Sequence, residues 1–482
     1  MGIDAAAKLF LTLVSASAAI WASSHALLHK RDPRATWGWI VLCWLFPLGG
    51  ALIYALLGVN RLETRAQRLR PPAIRRHERQ LHPADLRLCD GQQSLAPLID
   101  LVELVRTADV LTGLPLLAGN RLQPLHDGEQ AYPRMLEAIA GARESLLLAT
   151  YIFDTDAVGQ RFIEALANAQ ARGVRVRVLL DGYADWLNGR RRASRRLAAL
   201  GVPVARFHPP QLIPPSLHIN LRNHRKLLLV DGELAFTGGM NIGARHLAAD
   251  LDNPRREHDL HFALQGPIVE QLQAVFDEDW RYVTGEQPLP VAVRAPPSIG
   301  ESACRVITDG PNEDIGRLTL VLLAALAGAH RSVQIMTPYF LPPRELIGAL
   351  QSAALRGVAV EVILPGVSDQ LAVKWATRHL LWELVGRGVK LFYRPGPFAH
   401  TKLLMVDGYY AQIGSANLDP RSLRLNFELM VEVFDTGLIG GLQQHFESVK
   451  ADSLEVTLRQ LQSRSLPARL RDAFCWLFSP YL

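Results

Sequence analysis

Residues 138–153 read AIAGARESLLLATYIF, and residues 325–340 read ALAGAHRSVQIMTPYF at a constant offset of 187. The match resumes at 172–182, RGVRVRVLLDG, and 356–366, RGVAVEVILPG, with three residues fewer in the second copy. Between the matched pieces lie Gly159–Ala171 and Glu345–Leu355, whose apolar residues recur three and four apart and which end at a glycine suited to a helix C-cap. Each copy therefore reads strand, helix, strand, the pattern of a βαβ crossover. The predicted fold is α/β: two tandem α/β-sandwich halves, each on a largely parallel sheet, forming a pseudo-dimer. Such a duplication places equivalent loops across a two-fold axis, where a polar residue repeated in both copies meets its twin.

Few polar residues repeat. Late in the first copy stands His224-Arg-Lys226-Leu-Leu-Leu-Val-Asp231, followed by Gly238-Gly239-Met240-Asn241. Late in the second stands His400-Thr-Lys402-Leu-Leu-Met-Val-Asp407, followed by Gly414-Ser415-Ala416-Asn417. In a strand, His and Lys two apart share a face, while the apolar run between Lys and Asp buries the strand. Two His, two Lys and two Asn, with Asn241 and Asn417 adding amide donors, suit a phosphodiester that gains negative charge as it becomes pentacoordinate. One neutral imidazole attacks phosphorus and the other, protonated, serves the departing alkoxide. The chemistry calls for no metal and no cofactor.

Each imidazole needs an orienting carboxylate. Glu428 precedes a strand in the second copy and Asp259 precedes one in the first, in register, so these are the candidate acids. Asp231-Gly232 and Asp407-Gly408 read as turns. His218, His246, His258 and His261 do not recur and are left as structural or without an assigned role.

The composition, 49% hydrophobic and 20% charged in 482 residues, excludes a disordered chain and a disulfide-stapled miniprotein. Cys43, Cys89, Cys304 and Cys475 form no metal-ligand or redox spacing. Leu9–Leu28 and Trp37–Leu57 lack Asp, Glu, Lys and Arg, and each is long enough to cross about 30 Å of hydrocarbon as a helix. The pair reads as a transmembrane hairpin within residues 1–60; a cleaved signal peptide is the alternative for the first stretch. Seven arginines between Arg61 and Arg79 against Glu63 and Glu78 put the C-terminal flank on the cytoplasmic side. Residues 61–124 read as a basic linker with small β elements, 125–290 and 291–450 as the two halves, and 451–482 as an amphipathic tail. In that tail Leu470, Phe474, Leu477 and Phe478 align beside Arg469 and Arg471, as an interfacial helix or as a helix packed on the body. The Pro-rich loop 207–216 reads equally as a stiff connector or a membrane-dipping rim, and Arg190–Arg196 more as a solvated helix face than as a binding site for anionic lipid.

The doubled HxKxxxxD motif with GGMN and GSAN behind it resembles the phospholipase D superfamily, and within it the bacterial cardiolipin synthases. Further segments carrying the resemblance are Phe46–Gly58, Arg222–Lys226, Pro338–Phe340 and Gly414–Arg424. The resemblance implies two N-terminal membrane segments in the bacterial inner membrane and a cytoplasmic catalytic body. It implies phosphatidyl transfer between two phosphatidylglycerol molecules, giving cardiolipin and glycerol through a phosphatidyl-histidine. His224 would be the nucleophile and His400 the general acid and then base, with Lys226, Asp231, Lys402 and Asp407 completing the motifs. Its partners would be phosphatidylglycerol, other anionic phospholipids and the membrane; nucleic acid is not expected, and the oligomeric state is open. A phospholipase D-type hydrolase, or a transferase with another donor or acceptor lipid, is the alternative, since the same histidines serve water equally well.

Overall fold

The computed structural model describes residues 2–30, 33–58, 95–210, 221–289, 298–310 and 316–481. The arginine-rich stretch 61–79, Cys89, His218 and most of the loop 207–216 lie outside them. The chain divides into two units, residues 1–70 and 71–482.

In the N-terminal unit a long helix runs Gly2–His29, and its segment Ala7–His29 is, among the described residues, the one helix long and apolar enough to cross a membrane. The expected second span differs from a single helix. Trp37–Leu57 is divided into Pro33–Leu45, Pro47–Ile53 and a wide π turn at Tyr54–Gly58. Pro47 lacks the N–H that would continue the ladder, and its ring crowds the carbonyl one turn back, so the helix breaks at Phe46. Ala19, Ala22 and Ala26 pack with Cys43, Ala51 and Tyr54. Small residues on the long helix let the broken one approach closely.

The larger unit is built on one fifteen-stranded sheet. Its first seven strands come from the first copy: β1 (Leu117–His126), β2 (Ser145–Thr150), β3 (Arg175–Asp181), β4 (Val204–Phe207), β5 (Leu227–Val230), β6 (Leu234–Gly238) and, after the two-residue β7 (Glu257–His258), β8 (Leu260–Gln265). The second copy supplies β9 (Ser302–Asp309), β10 (Ser332–Met336), β11 (Ala359–Pro365), β12 (Lys390–Arg394), β14 (Leu403–Val406), β15 (Tyr410–Gly414), β16 (Glu428–Phe434) and β17 (Leu454–Glu455), while β13 (Phe398–Ala399) pairs with β7 apart from the main sheet. From the central β1–β9 pair outward, the order is β8-β6-β5-β2-β3-β4 on one side and β16-β15-β14-β10-β11-β12 on the other, with β17 added at the second edge.

The expectation of a largely parallel sheet is corrected. In the first copy only β2–β3 and β3–β4 are parallel, and in the second only β10–β11 and β11–β12. The other pairs in the sheet are antiparallel, and two of them, β5–β6 and β14–β15, are closed by tight turns. At the β5–β6 turn, Asp231 and Gly232 both take positive φ, 54° and 67°, and Asp407 and Gly408 repeat this at 53° and 77°. Two successive left-handed residues match the twist of a hairpin, which is why Asp-Gly stands there twice. Within residues 61–124, read as a basic linker with small β elements, an 18-residue helix, Leu95–Thr112, precedes β1, most of which falls in that range.

The crossover helices are where the apolar spacing put them, Ala157–Ala171 and Arg344–Leu355, each followed by a left-handed glycine, Gly173 (φ 91°) and Gly357 (φ 92°). On one face of the sheet a single core runs through both copies and includes Leu229, Phe262, Leu403 and Phe446. The other face carries two cores, one per copy, under the crossover helices. Sandwiching the sheet between helices leaves the ends of β5 and β14, where the two motifs begin, as the place for polar side chains.

Candidate active site

His224 and His400 each stand just before a buried strand, and the apolar runs of β5 and β14 hold their backbones in place. The two motifs cross between copies. His224 Nδ1 bonds to Glu428 Oε2 at 3.0 Å, and His400 Nδ1 bonds to Asp259 Oδ2 at 2.9 Å, so each imidazole is oriented by the carboxylate of the other copy. The backbone makes the same crossing. His224 N donates to Phe427 O at 2.9 Å and Phe427 N to Arg222 O at 2.8 Å, while His400 N donates to His258 O at 2.7 Å and β13 pairs with β7. These clasps sit one residue before each acid, so histidine and carboxylate are fixed together. With Nδ1 committed to the carboxylate, Nε2 is the nitrogen left for chemistry in both rings.

The lysines share the same volume. Lys226 Nζ donates to His224 O at 2.7 Å, and Lys402 Nζ to His400 O. All six side chains are nearly inaccessible, and the cations act on one another. Burial pulls Lys402 down to about 8 and Lys226 well below its usual range, each also repelled by the other copy's lysine or steadied by the carboxylates. Burial likewise takes His224 down to about 4 despite Glu428, and it takes His400 well below 6.5 with help from Lys402 and His246. An anion bound between them reverses both pressures, since it replaces lost hydration with opposite charge.

The two acids are not equivalent. Burial raises Asp259 well above the carboxylate range against the pull of Lys402 and of the Leu260 N–H, which donates to Oδ1 at 2.8 Å. Burial acts on Glu428 too, but His224, Lys226 and the Ser415 hydroxyl outweigh it and hold the carboxyl below its usual value. Asn426 Nδ2 adds a bond at 3.2 Å. The Ser415 position is Gly239 in the first copy, where an added Cβ would lie 2.3 Å from Asp259 Oδ1. The Gly-Gly and Gly-Ser turns thus encode one carboxylate with a hydroxyl donor and one without.

Asn241 and Asn417 are buried beside the cluster. Asn241 Oδ1 accepts the Ile152 N–H at 3.2 Å, and Asn417 lines with Lys402 a small, mostly apolar pocket. Asp231 and Asp407 are not brought to the cluster. The Asp231 carboxylate takes the N–H groups of Arg143, Glu144 and Ser145 at 2.8–2.9 Å, and Asp407 takes those of His330, Arg331 and Ser332 at 2.7–2.8 Å. They pin the β5–β6 and β14–β15 turns to the starts of β2 and β10, which agrees with the turn reading and corrects the placement of both aspartates among the reacting groups.

Several supporting residues escaped the sequence reading. Asp127 accepts from the Asp259 N–H and bonds His258 Nδ1, both at 2.9 Å. Asp279 takes Arg225 Nη1 at 2.7 Å and Asn223 Nδ2 at 3.0 Å, fixing the residues on either side of His224. Tyr151 lies edge-on to the His224 ring at 5.0 Å. Asp279 has no aspartate at the matching place of the other copy, whereas Asp127-Gly128 at the end of β1 is matched by Asp309-Gly310 at the end of β9, a recurrence that could have pointed to it. His246, left as structural or without an assigned role, accepts the Asn241 N–H on Nε2 at 3.1 Å.

A family description, cardiolipin synthase PLD-like domain, matches residues 135–280 and 322–450, the two segments that carry the motifs. The chain belongs to that family. A second description, the phospholipase D-nuclease N-terminal segment, matches residues 17–58. Cardiolipin synthase A of Pseudomonas aeruginosa is 34% identical, with 96% of this chain and 93% of that protein covered. The major cardiolipin synthase of Bacillus subtilis is 29% identical over 94% and 95%. Among solved structures, a phosphatidylserine synthase from Haemophilus influenzae superposes with a TM-score of 0.61 at 15% identity, covering 79% of this chain and all of that one, a likeness of fold. The family matches the chain in two parts within a mixed α/β fold, with an apolar helix before them.

Proposed function

We propose that this chain is a cardiolipin synthase, a phosphatidyltransferase that joins two phosphatidylglycerol molecules. The observation carrying the mechanism is the crossed pairing of His224 with Glu428 and His400 with Asp259 around two lysines. His224 Nε2 attacks the phosphorus of the first lipid, the bond to the headgroup glycerol breaks, and protonated His400 gives its proton to the departing oxygen. The headgroup hydroxyl of a second lipid then passes its proton to His400 and displaces His224 from phosphorus, giving cardiolipin. Glu428 is the carboxylate held ionised, so it best supports the imidazole that must become cationic on attack, and His224 is cast as nucleophile for that reason. Lys226 and Lys402, with Asn241 and Asn417, hold the non-bridging oxygens as charge builds.

The two copies act as a pseudo-dimer, residues 125–290 and 291–450, a reading supported by the matching strand order on each side of β1–β9. The N-terminal helix and the broken helix after it form a membrane hairpin, which the family segment at 17–58 supports. The arginines at 61–79 orient it with the body on the cytoplasmic side of the bacterial inner membrane.

The test is to incubate purified protein in mixed micelles of labelled phosphatidylglycerol and separate the products. Cardiolipin with an equal amount of glycerol is expected, and excess glycerol should run the reaction backward. Phosphatidic acid as the sole lipid product would mean that water is the acceptor.

A further inference from the structure

We propose that the C-terminal helix Leu466–Leu477 is a docking surface that seats the larger unit on an anionic phospholipid bilayer. Leu466, Leu470, Phe474 and Leu477 fall three and four apart on one stripe, and they are 65, 60, 62 and 65% exposed, with Phe478 at 48%. The opposite face is anchored. Asp472 is 1% exposed and receives Arg464 and Arg471, Trp476 lies 5.0 Å from the His379 ring, and the Arg471 guanidinium stands 4.3 Å over Trp375. The stripe therefore faces outward because the other side of the helix is locked to the helix Leu371–Val385. The reading of this tail as a helix packed on the body holds for one face, where Asp472, Cys475 and Trp476 pack, while the aligned leucines and phenylalanines stay exposed.

Charge selects the occupant. Residues 456–481 contain four arginines, at 459, 464, 469 and 471, and the single acid Asp472, which is buried and neutralised. Arg464 and Arg471 pair with Asp472 and Arg459 and Arg469 remain, so four arginines less one acid leave this segment at +3, which suits an interfacial zone of acyl chains beneath anionic headgroups. A second copy of this chain would bring the same arginines against one another, so it is the poorer fit. The surface is also close to the reacting groups. The helix beneath it supplies Val373, Lys374 and Thr377 to a small open pocket that Tyr339 also lines. The ring of Tyr339 is 6.1 Å from Phe398, itself 6.0 Å from His400.

The inference does not rest on the reaction assigned above, and its first test needs no turnover. In the full-length chain with its four cysteines replaced by alanine, Phe474→Cys carries an environment-sensitive fluorophore and the protein is placed in liposomes of phosphatidylglycerol and phosphatidylcholine. Blue-shifted emission, quenching by a spin label shallow in the acyl chains and shielding from aqueous iodide are expected, with no such change for the label at exposed Glu233→Cys. Quenching by iodide with none by the lipid label would overturn the proposal, as would a shift that grows with protein-to-lipid ratio, which would indicate a second copy. Leu470→Glu with Phe474→Glu, both on the exposed stripe, should keep the circular dichroism of the parent and raise the apparent KM for dispersed lipid by about tenfold with kcat changed less than twofold; an unchanged KM would also overturn it.

Discussion

The pair His224–Glu428 and the pair His400–Asp259 have the same connectivity and opposite electrostatics. Glu428 receives a hydroxyl and an amide in addition to the imidazole, and it is held as a carboxylate. Asp259 receives the imidazole and one backbone N–H, the neighbouring turn leaves no room for a hydroxyl, and burial drives it toward the neutral form. A duplicated motif has thus been made into two different tools by changing what surrounds each acid. The environment that sets a full negative charge beside the imidazole suits the nucleophile, whose ring must carry charge while bonded to phosphorus. The environment that lets a proton leave suits the acid.

The harshest test of this comparison replaces the histidines one at a time and uses a phosphodiester whose leaving group, p-nitrophenolate, needs no proton. His224→Ala and His400→Ala should each lower lipid turnover by roughly 10³-fold or more, but only His400→Ala should still form a covalent phosphoryl-enzyme with the activated substrate, detected by intact-protein mass spectrometry. An adduct in His224→Ala would exchange the two roles. Next in size, Glu428→Gln should reduce kcat by about 10²-fold or more, and Asp259→Asn by about tenfold, because the second carboxyl is closer to neutral in the native site. Equal losses would mean that the asymmetry of the acids does not reach the chemistry.

The pH profile sharpens the comparison from the cation side. Lys402 is brought down to about 8, so it is charged below that pH and neutral above it. kcat/KM should fall as pH rises through about 8, and Lys402→Arg, whose guanidinium stays charged, should extend activity beyond that limb. Gly239→Ser, which would give the first copy the second copy's turn, should clash with Asp259 and cost about 1–3 kcal/mol, read as a lowered melting temperature. The smallest effect on chemistry is expected from Asp231→Asn and Asp407→Asn. Each weakens three N–H bonds at a turn, so thermal stability should fall by about 1–2 kcal/mol while kcat stays within a few fold, measured on the same preparations.

Much of this was legible from the chain alone because duplication repeats what function holds. The crossover helices appeared in the spacing of apolar residues, and His224, Lys226, His400 and Lys402 in a pattern occurring twice at one interval. Other features left no such trace. The antiparallel part of the sheet depends on pairings between strands distant in sequence, such as β2 with β5 and β10 with β14, and on two hairpins whose Asp-Gly pairs look alike whether they close a sheet or a loop. The helix Leu95–Thr112 is secured by Arg305, whose guanidinium reaches Asp109, 196 residues earlier, and Glu432, 127 residues later. The break at Pro47 was visible as a residue, but a run of apolar side chains around it reads as one span.

The residues themselves determined the two copies, the reacting side chains and the candidate acids, since these follow from periodicity and repetition along one chain. Tertiary structure alone decided that Glu428 serves His224 and Asp259 serves His400, and which face of the last helix stays exposed. The physical reason is the same in both cases. A carboxylate 204 residues from its imidazole, or an aspartate turned inward beneath an apolar stripe, is specified by the packing of separate elements, and no local pattern records which neighbour that packing will supply.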